Sequence, residues 1–230
     1  MEPENDKSTR YKRRGRVTPV AKSLFTEGKK YTFSDYFDFN LPTEEIAGAF
    51  GYSFDTEVLE FPTSEEFAKN EIVALRITEL QEKFYEVLPK ISLNSEMAKR
   101  DFMIAPVLWA VIRHVQARIN VEYPIEVDDR LGGSLDYLIK SEQQLIVIEA
   151  KKGDLDKGFN QLTAELIALD KAEEKDSPAL LYGAISIGEL WRFGILNRNG
   201  RNIYRDLHTY RVPEDIQRIF SIMVGILQDG

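Results

Sequence analysis

The sequence predicts an α/β fold bordering on α+β. It consists of a mixed β-sheet flanked by helices in the order α-β-β-β-α-β, with a helical extension before it and a hairpin plus helix after it. Three observations predict this. Strand-like runs at "VEYPIEV" (121–127), "LDYLIK" (135–140) and "QLIVIEAK" (144–151) follow one another across short polar connections, which favours an antiparallel meander. Leu155, Phe159, Leu162, Leu166 and Leu169 then recur every three or four residues, the spacing of a helix. A further apolar run, "PALLYGAISI" (178–187), follows that helix. Hairpin-connected strands followed by a helical crossover imply a mixed sheet with helices against its faces.

From the N-terminus, residues 1–30 hold nine Lys/Arg against four Asp/Glu, whereas the remaining 200 residues carry 21 against 34. "RYKRRGR" (10–16) is the densest basic patch. Its plain reading is a solvated, flexible tail, and its alternative is phosphate neutralisation. Residues 31–90 form an extension packed on the core. "YTFSDYFDFN" is rich in aromatics and turn formers, a short helix is expected near 43–50, and a strand near 56–61. Across 65–91, Ile72, Leu75, Leu80, Phe84, Val87 and Leu88 predict a helix that ends before Pro89.

Residues 91–230 form the core with its C-terminal additions. Ser and Asn at 92–95 offer helix caps, and the helix expected over 95–118 places Met97, Ile104, Leu108, Val111 and Val115 on one stripe. Pro106 should kink it or start a new segment. Asp154 is placed to cap the helix that begins at 155. Strands are expected at 190–196 and 202–212, and an amphipathic helix at 213–228.

The 230-residue chain has a net charge of −8, 43% hydrophobic and 30% charged residues, which suits one sizeable core. With no cysteine, disulfides, thiolate nucleophiles and cysteine zinc sites are excluded, and two distant histidines make no metal motif. The longest apolar runs, such as "APVLWAVI", fall far below the roughly 18 residues of a membrane helix, and the charged N-terminus lacks an apolar signal core. A cytoplasmic protein with no membrane partner is expected.

One stretch carries chemistry. Alternation along "LIVIEAK" puts Leu145, Val147, Glu149 and Lys151 on one side of a strand, a face that starts apolar and ends charged. In an antiparallel hairpin the start of one strand meets the end of the next, so Asp136 is expected roughly opposite Glu149. Two carboxylates and an ammonium then converge. Magnesium takes oxygen ligands, and one or two carboxylates plus a substrate phosphate commonly hold it. Such an ion polarises a phosphodiester and lowers the pKa of bound water, while Lys151 orients that water or offsets charge on phosphorus. The bland alternative is an exposed hairpin with ordinary salt bridges.

Asp136, twelve residues, then Glu149-Ala150-Lys151 resembles the core of the PD-(D/E)XK superfamily of restriction-endonuclease-like nucleases, with Leu135 where that family often has proline. The resemblance covers about half of the chain and is closest in flavour to nuclease domains of type I restriction subunits. It implies a Mg²⁺-dependent DNA nuclease, with Mn²⁺ as a substitute. Asp136, Glu149, Glu96 and the Ala150 carbonyl would be metal ligands, and Lys151 and Gln161 further catalytic residues. Glu96 matches the glutamate that many members carry on the helix before the sheet, though it also suits the helix dipole. Gln161, in "GFNQLTAEL", matches a glutamine on the following helix, where it borders the apolar stripe beside Glu165 and Gly158. A catalytically silent protein of the same fold that binds nucleic acid or a protein is the alternative. Trp109, Trp191 and the aromatics of 31–39 are assigned to packing, Lys152 and Asp154 to turn and cap, and His114 and His208 to structure. Substrate sequence, DNA versus RNA, endo versus exo mode and the oligomeric state, a homodimer included, stay open.

Overall fold

A computed structural model describes residues 24–141, 144–149, 153–172 and 178–228, giving backbone and pairing for 144–149. The meander is present. β2 (Arg118–Asp128), β3 (Leu131–Lys140) and β4 (Gln144–Glu149) pair antiparallel in sequence. Helix α7 (Leu155–Ala172) then crosses over, and β5 (Leu180–Ser186) returns parallel to β4. The sheet is mixed, as the run of elements implied. β6 (Leu190–Asn197), β7 (Asn202–Asp206) and β1 (Ser53–Glu57) extend it to the order β1-β7-β6-β5-β4-β3-β2, with β8 (Tyr210–Arg211) paired to β6.

Helices cover both faces because the strands alternate. Leu138, Leu181 and Ile185 bury against α7, while Tyr137, Ile139, Tyr182 and Ala184 bury against α6 (Ala105–Ile112) and α8 (Ile216–Gln228). Residues 158–169 of α7 are all buried, which makes it the central helix of the molecule. Each fully buried Leu or Phe there contributes about 1.5–3 kcal/mol of transfer free energy. Two glycines set how closely α7 approaches. Gly183 of β5 pairs with Gly194 of β6, and a Cβ on either would lie 2.7 Å from Leu162 and 2.6 Å from Phe159 respectively. The paired glycines form a trough in which those two side chains sit. Asp154 caps α7 as expected, its Oδ1 accepting from the main-chain N–H of Asp156 and Lys157.

Before the meander, the helices depart from expectation in three places. The aromatic stretch forms a helix, α1 (Phe33–Asp38), opened by the Asp35 carboxylate accepting from Thr32 N at 2.7 Å. Its Phe33, Tyr36 and Phe37, with α2 (Thr43–Ala49), join the core on the α7 side, so those aromatics do pack. The expected helix 65–91 divides into α3 (Glu66–Lys69) and α4 (Glu71–Val87), with a 3-10 turn over Leu88–Lys90. Asn70 caps α4 by accepting from Ile72 N and Val73 N. Its buried face is Val73, Ile77 and Phe84, whereas Ile72 and Leu75 are 61% and 59% exposed. The helix expected over 95–118 is α5 (Glu96–Lys99), a π-helical stretch over Arg100–Ile104, and α6, with Pro106 in the first turn of α6. Among the described residues no helix is long and apolar enough to cross a membrane.

Candidate functional site

The β3–β4 ladder runs from Lys140–Gln144 to Tyr137–Val147. Continued, that register sets Asp136 against Ile148, one residue short of the expected partner Glu149. Asp136 also follows a longer strand than expected. β3 begins at Leu131, and the turn lies before it, where Asp128 Oδ1 accepts from Arg130 N at 2.8 Å and Leu131 N at 3.0 Å. Gly132 and Gly133 are thus strand residues, and Gly133, at φ +137, lies against Phe33.

The backbone is distorted across from Asp136. Pairing runs through Val121–Tyr137 and Tyr123–Leu135, and Glu122 between them has φ 52. A non-glycine residue there costs about 1–3 kcal/mol, and such strain clusters at functional sites. Across from Glu122 on β3, Leu135 and Tyr137, two residues apart, bury in the two opposite core clusters.

On α7, Gln161 Nε2 donates to Glu165 Oε1 at 3.0 Å. Glu165 is fully buried and Gln161 is 4% exposed. Among the described residues, Gln161 Oε1 and Glu165 Oε2 have no hydrogen-bond partner. Burial pushes the Glu165 carboxyl well above the ordinary carboxylate range, opposed by the Gln161 hydrogen bond and reinforced by the charge of Asp136. Leaving a buried polar atom unsatisfied costs about 1–3 kcal/mol, so these oxygens are out of place in an ordinary core.

Gln161 therefore bonds Glu165 directly, and the charge of Asp136 acts on the same carboxyl. Glu165 is the residue that sequence reasoning placed beside Gln161 without assigning it a role. The signal was present: in the all-buried stretch 158–169, Gln161 and Glu165 are the two long polar side chains, four residues apart on one face.

Glu96 is not part of this group. It is exposed and lines a groove of about 740 Å³ with Arg100, Trp109, Glu122 and Tyr137, on the α6 side of the sheet. In that groove Arg100 lies 5.3 Å over the Tyr137 ring and its Nη1 is 3.8 Å from Glu122. Glu149 is placed by its backbone, paired with Ser186 of β5. Ala150, Lys151 and Lys152 lie outside the described residues. Among the described residues no group of three or more His, Asp or Glu is arranged as a metal cluster.

The other assignments divide. Trp191 is fully buried, but Trp109 is 67% exposed and is not a packing residue. His208 pairs with the buried Asp206, and His114 lies 3.4 Å from Glu66 and against Phe220, both structural contacts. Neither a family model nor a curated protein matches this chain.

Proposed function

We propose that this protein is a divalent-cation-dependent phosphodiesterase of the restriction-endonuclease-like type, acting on DNA. The observation that carries the reading is a pair of buried oxygens, Gln161 Oε1 and Glu165 Oε2, that have no hydrogen-bond partner among the described residues, with the charge of Asp136 opposing ionisation of Glu165. An all-oxygen set of this kind fits a hard cation such as Mg²⁺ or Mn²⁺. Asp136, Glu149 and the Ala150 carbonyl would hold the ion, with Glu165 and Gln161 closing the site from α7. Glu96, on the other side of the sheet, stays outside the ligand set.

When bound, the cation supplies Lewis-acid polarisation of a phosphodiester oxygen and acidifies a water. The chain's own residues do the rest. Burial favours the protonated form of Glu165, and the positive charge of a cation at the site would favour its carboxylate. Gln161 holds the Oε1 edge of Glu165, and Oε2, which has no hydrogen-bond partner among the described residues, is the edge that would face a cation. Lys151, two residues after Glu149, orients the attacking water or offsets charge building on phosphorus. The order of helix, three antiparallel strands, helix and parallel strand supports this reading.

The test is incubation of the purified protein with plasmid and oligonucleotides in Mg²⁺ or Mn²⁺, beside Glu149→Ala and Lys151→Ala. Cation-dependent cleavage that falls at least ~100-fold in both variants supports the reading. Equal cleavage by the variants rejects it. A second reading, a silent protein that binds nucleic acid or a partner protein, draws on the burial that disfavours the Glu165 carboxylate. Salt-sensitive DNA retention in Ca²⁺ without cleavage in Mg²⁺ would favour it.

A further inference from the structure

Away from the candidate site, α4 and α6 form the walls of an open groove of about 530 Å³. Val73, Ile77, Leu80 and Phe84 make up much of its floor, and its α4 wall continues to Leu88. Fifteen residues of helix span about 22 Å, some four turns. The rim is what distinguishes this groove from a core defect. Trp109 is 67% exposed and Phe102 47% exposed, so large aromatics stand in solvent beside an apolar trough. Three cations, Arg76, Lys83 and Arg113, line it against one carboxylate, Asp101. None of the three makes an ion pair with a described residue. This is a local positive excess in a chain of net charge −8.

We infer that this groove docks an amphipathic helix of a partner protein, its apolar face inward and its flanks acidic. A helix laid in an apolar groove anchors through residues at i, i+3/i+4 and i+7, which matches the length and apolar floor here. The unpaired rim cations select acidic flanks. The chain's own N-terminal segment is disfavoured, because "RYKRRGR" carries the same sign as the rim. Nucleic acid matches the cations and the exposed rings of Trp109 and Phe102, but it leaves the aliphatic Val73, Ile77 and Leu80 uncovered, which the apolar face of a helix covers. The inference is independent of the phosphodiesterase reading.

The probe is a designed helical peptide of about 16 residues, long enough for the groove, with leucines on one face and glutamates flanking them. Its controls are a permutation without helical periodicity and a version with lysine in place of glutamate. The protein has two tryptophans and Trp191 is fully buried, so a change in emission on titration reports Trp109. Saturable binding of the acidic peptide is expected, at least ~10-fold tighter than either control. Arg76→Glu combined with Arg113→Glu should reverse the preference toward the lysine peptide. Trp109→Ala should weaken binding about tenfold, read by anisotropy of a labelled peptide. Circular dichroism and an unchanged Tm establish that the variants are folded. Equal binding of the controls, or an unreversed preference in the folded double variant, overturns the inference. So does displacement of the peptide by a single-stranded oligonucleotide, or a dimer in solution that Trp109→Ala converts to monomer.

Discussion

Gln161 donates its Nε2 hydrogen to Glu165 Oε1 at 3.0 Å, one helical turn along α7, with both side chains buried and the charge of Asp136 acting on Glu165. This contact makes stability depend on pH in a definite direction. The folded Glu165 keeps its proton to well above the ordinary range, whereas in the unfolded chain it ionises near about 4.3. Between those values the folded state binds more protons, so stability falls as pH rises from about 4 through the folded pKa. Glu165→Gln cannot ionise and keeps an acceptor for Gln161. Its stability should exceed that of the wild type increasingly as pH rises, by about 1–3 kcal/mol near neutrality, read as a widening gap in Tm. Millimolar Mg²⁺ or Mn²⁺ should raise the wild-type Tm and narrow the gap, whereas parallel pH profiles would show that Glu165 is not the buried acid described.

Gly194→Ala should cost more than Gly183→Ala. At 194 the new methyl meets the Phe159 ring at 2.6 Å and the Tyr204 carbonyl at 3.0 Å, and a carbonyl in a β-ladder cannot step aside. At 183 it meets the flexible end of Leu162. Overpacking of this kind costs about 1–3 kcal/mol, with Gly194→Ala at the upper end, measurable by urea denaturation.

Asp206 is 1% exposed and accepts from Leu59 N at 3.3 Å, His208 N at 3.1 Å and the Tyr210 hydroxyl at 3.1 Å. Its charge and the burial of Tyr210 push that phenol up to about 12. Asp206→Ala leaves these donors unsatisfied and should destabilise the fold by about 1–3 kcal/mol, without altering any cation dependence of cleavage.

Glu122, strained at φ 52 across from Asp136, separates stability from function. Glu122→Gly relieves a left-handed conformation worth about 1–2 kcal/mol and should raise Tm. If the strain positions Asp136, the same variant should lose cleavage activity while gaining stability. A loss of both would assign Glu122 to the fold alone.

The parts of the fold that were legible are those in which side-chain periodicity matches one buried face. β2 to β5 and α7 read directly because period-two runs and a Leu/Phe stripe left little ambiguity. α4 did not, because it carries apolar residues on two sides: Ile72 and Leu75 fit a helical stripe as well as Val73, Ile77 and Phe84, and packing alone decides between them. α1 was hidden in "YTFSDYFDFN", although the Thr32–Asp35 spacing was a start signal. The parallel pairing of β1 with β7 joins residues about 150 apart, which no local pattern encodes. At the candidate site, strand spacing led to Asp136 and the family resemblance to Gln161. It missed Glu165, because a carboxylate on an apolar helix face is visible as unusual only once the face is known to be buried.

The most direct test of the account is the initial rate of supercoiled-plasmid cleavage in Mg²⁺ by wild type and by Asp136→Asn, an isosteric change that removes the charge beside Glu165. The account predicts cleavage that stops on chelation and falls at least ~100-fold in Asp136→Asn, with the variant still folded. Absence of any cation-dependent cleavage by the wild type, or an unchanged rate in the variant, would contradict it.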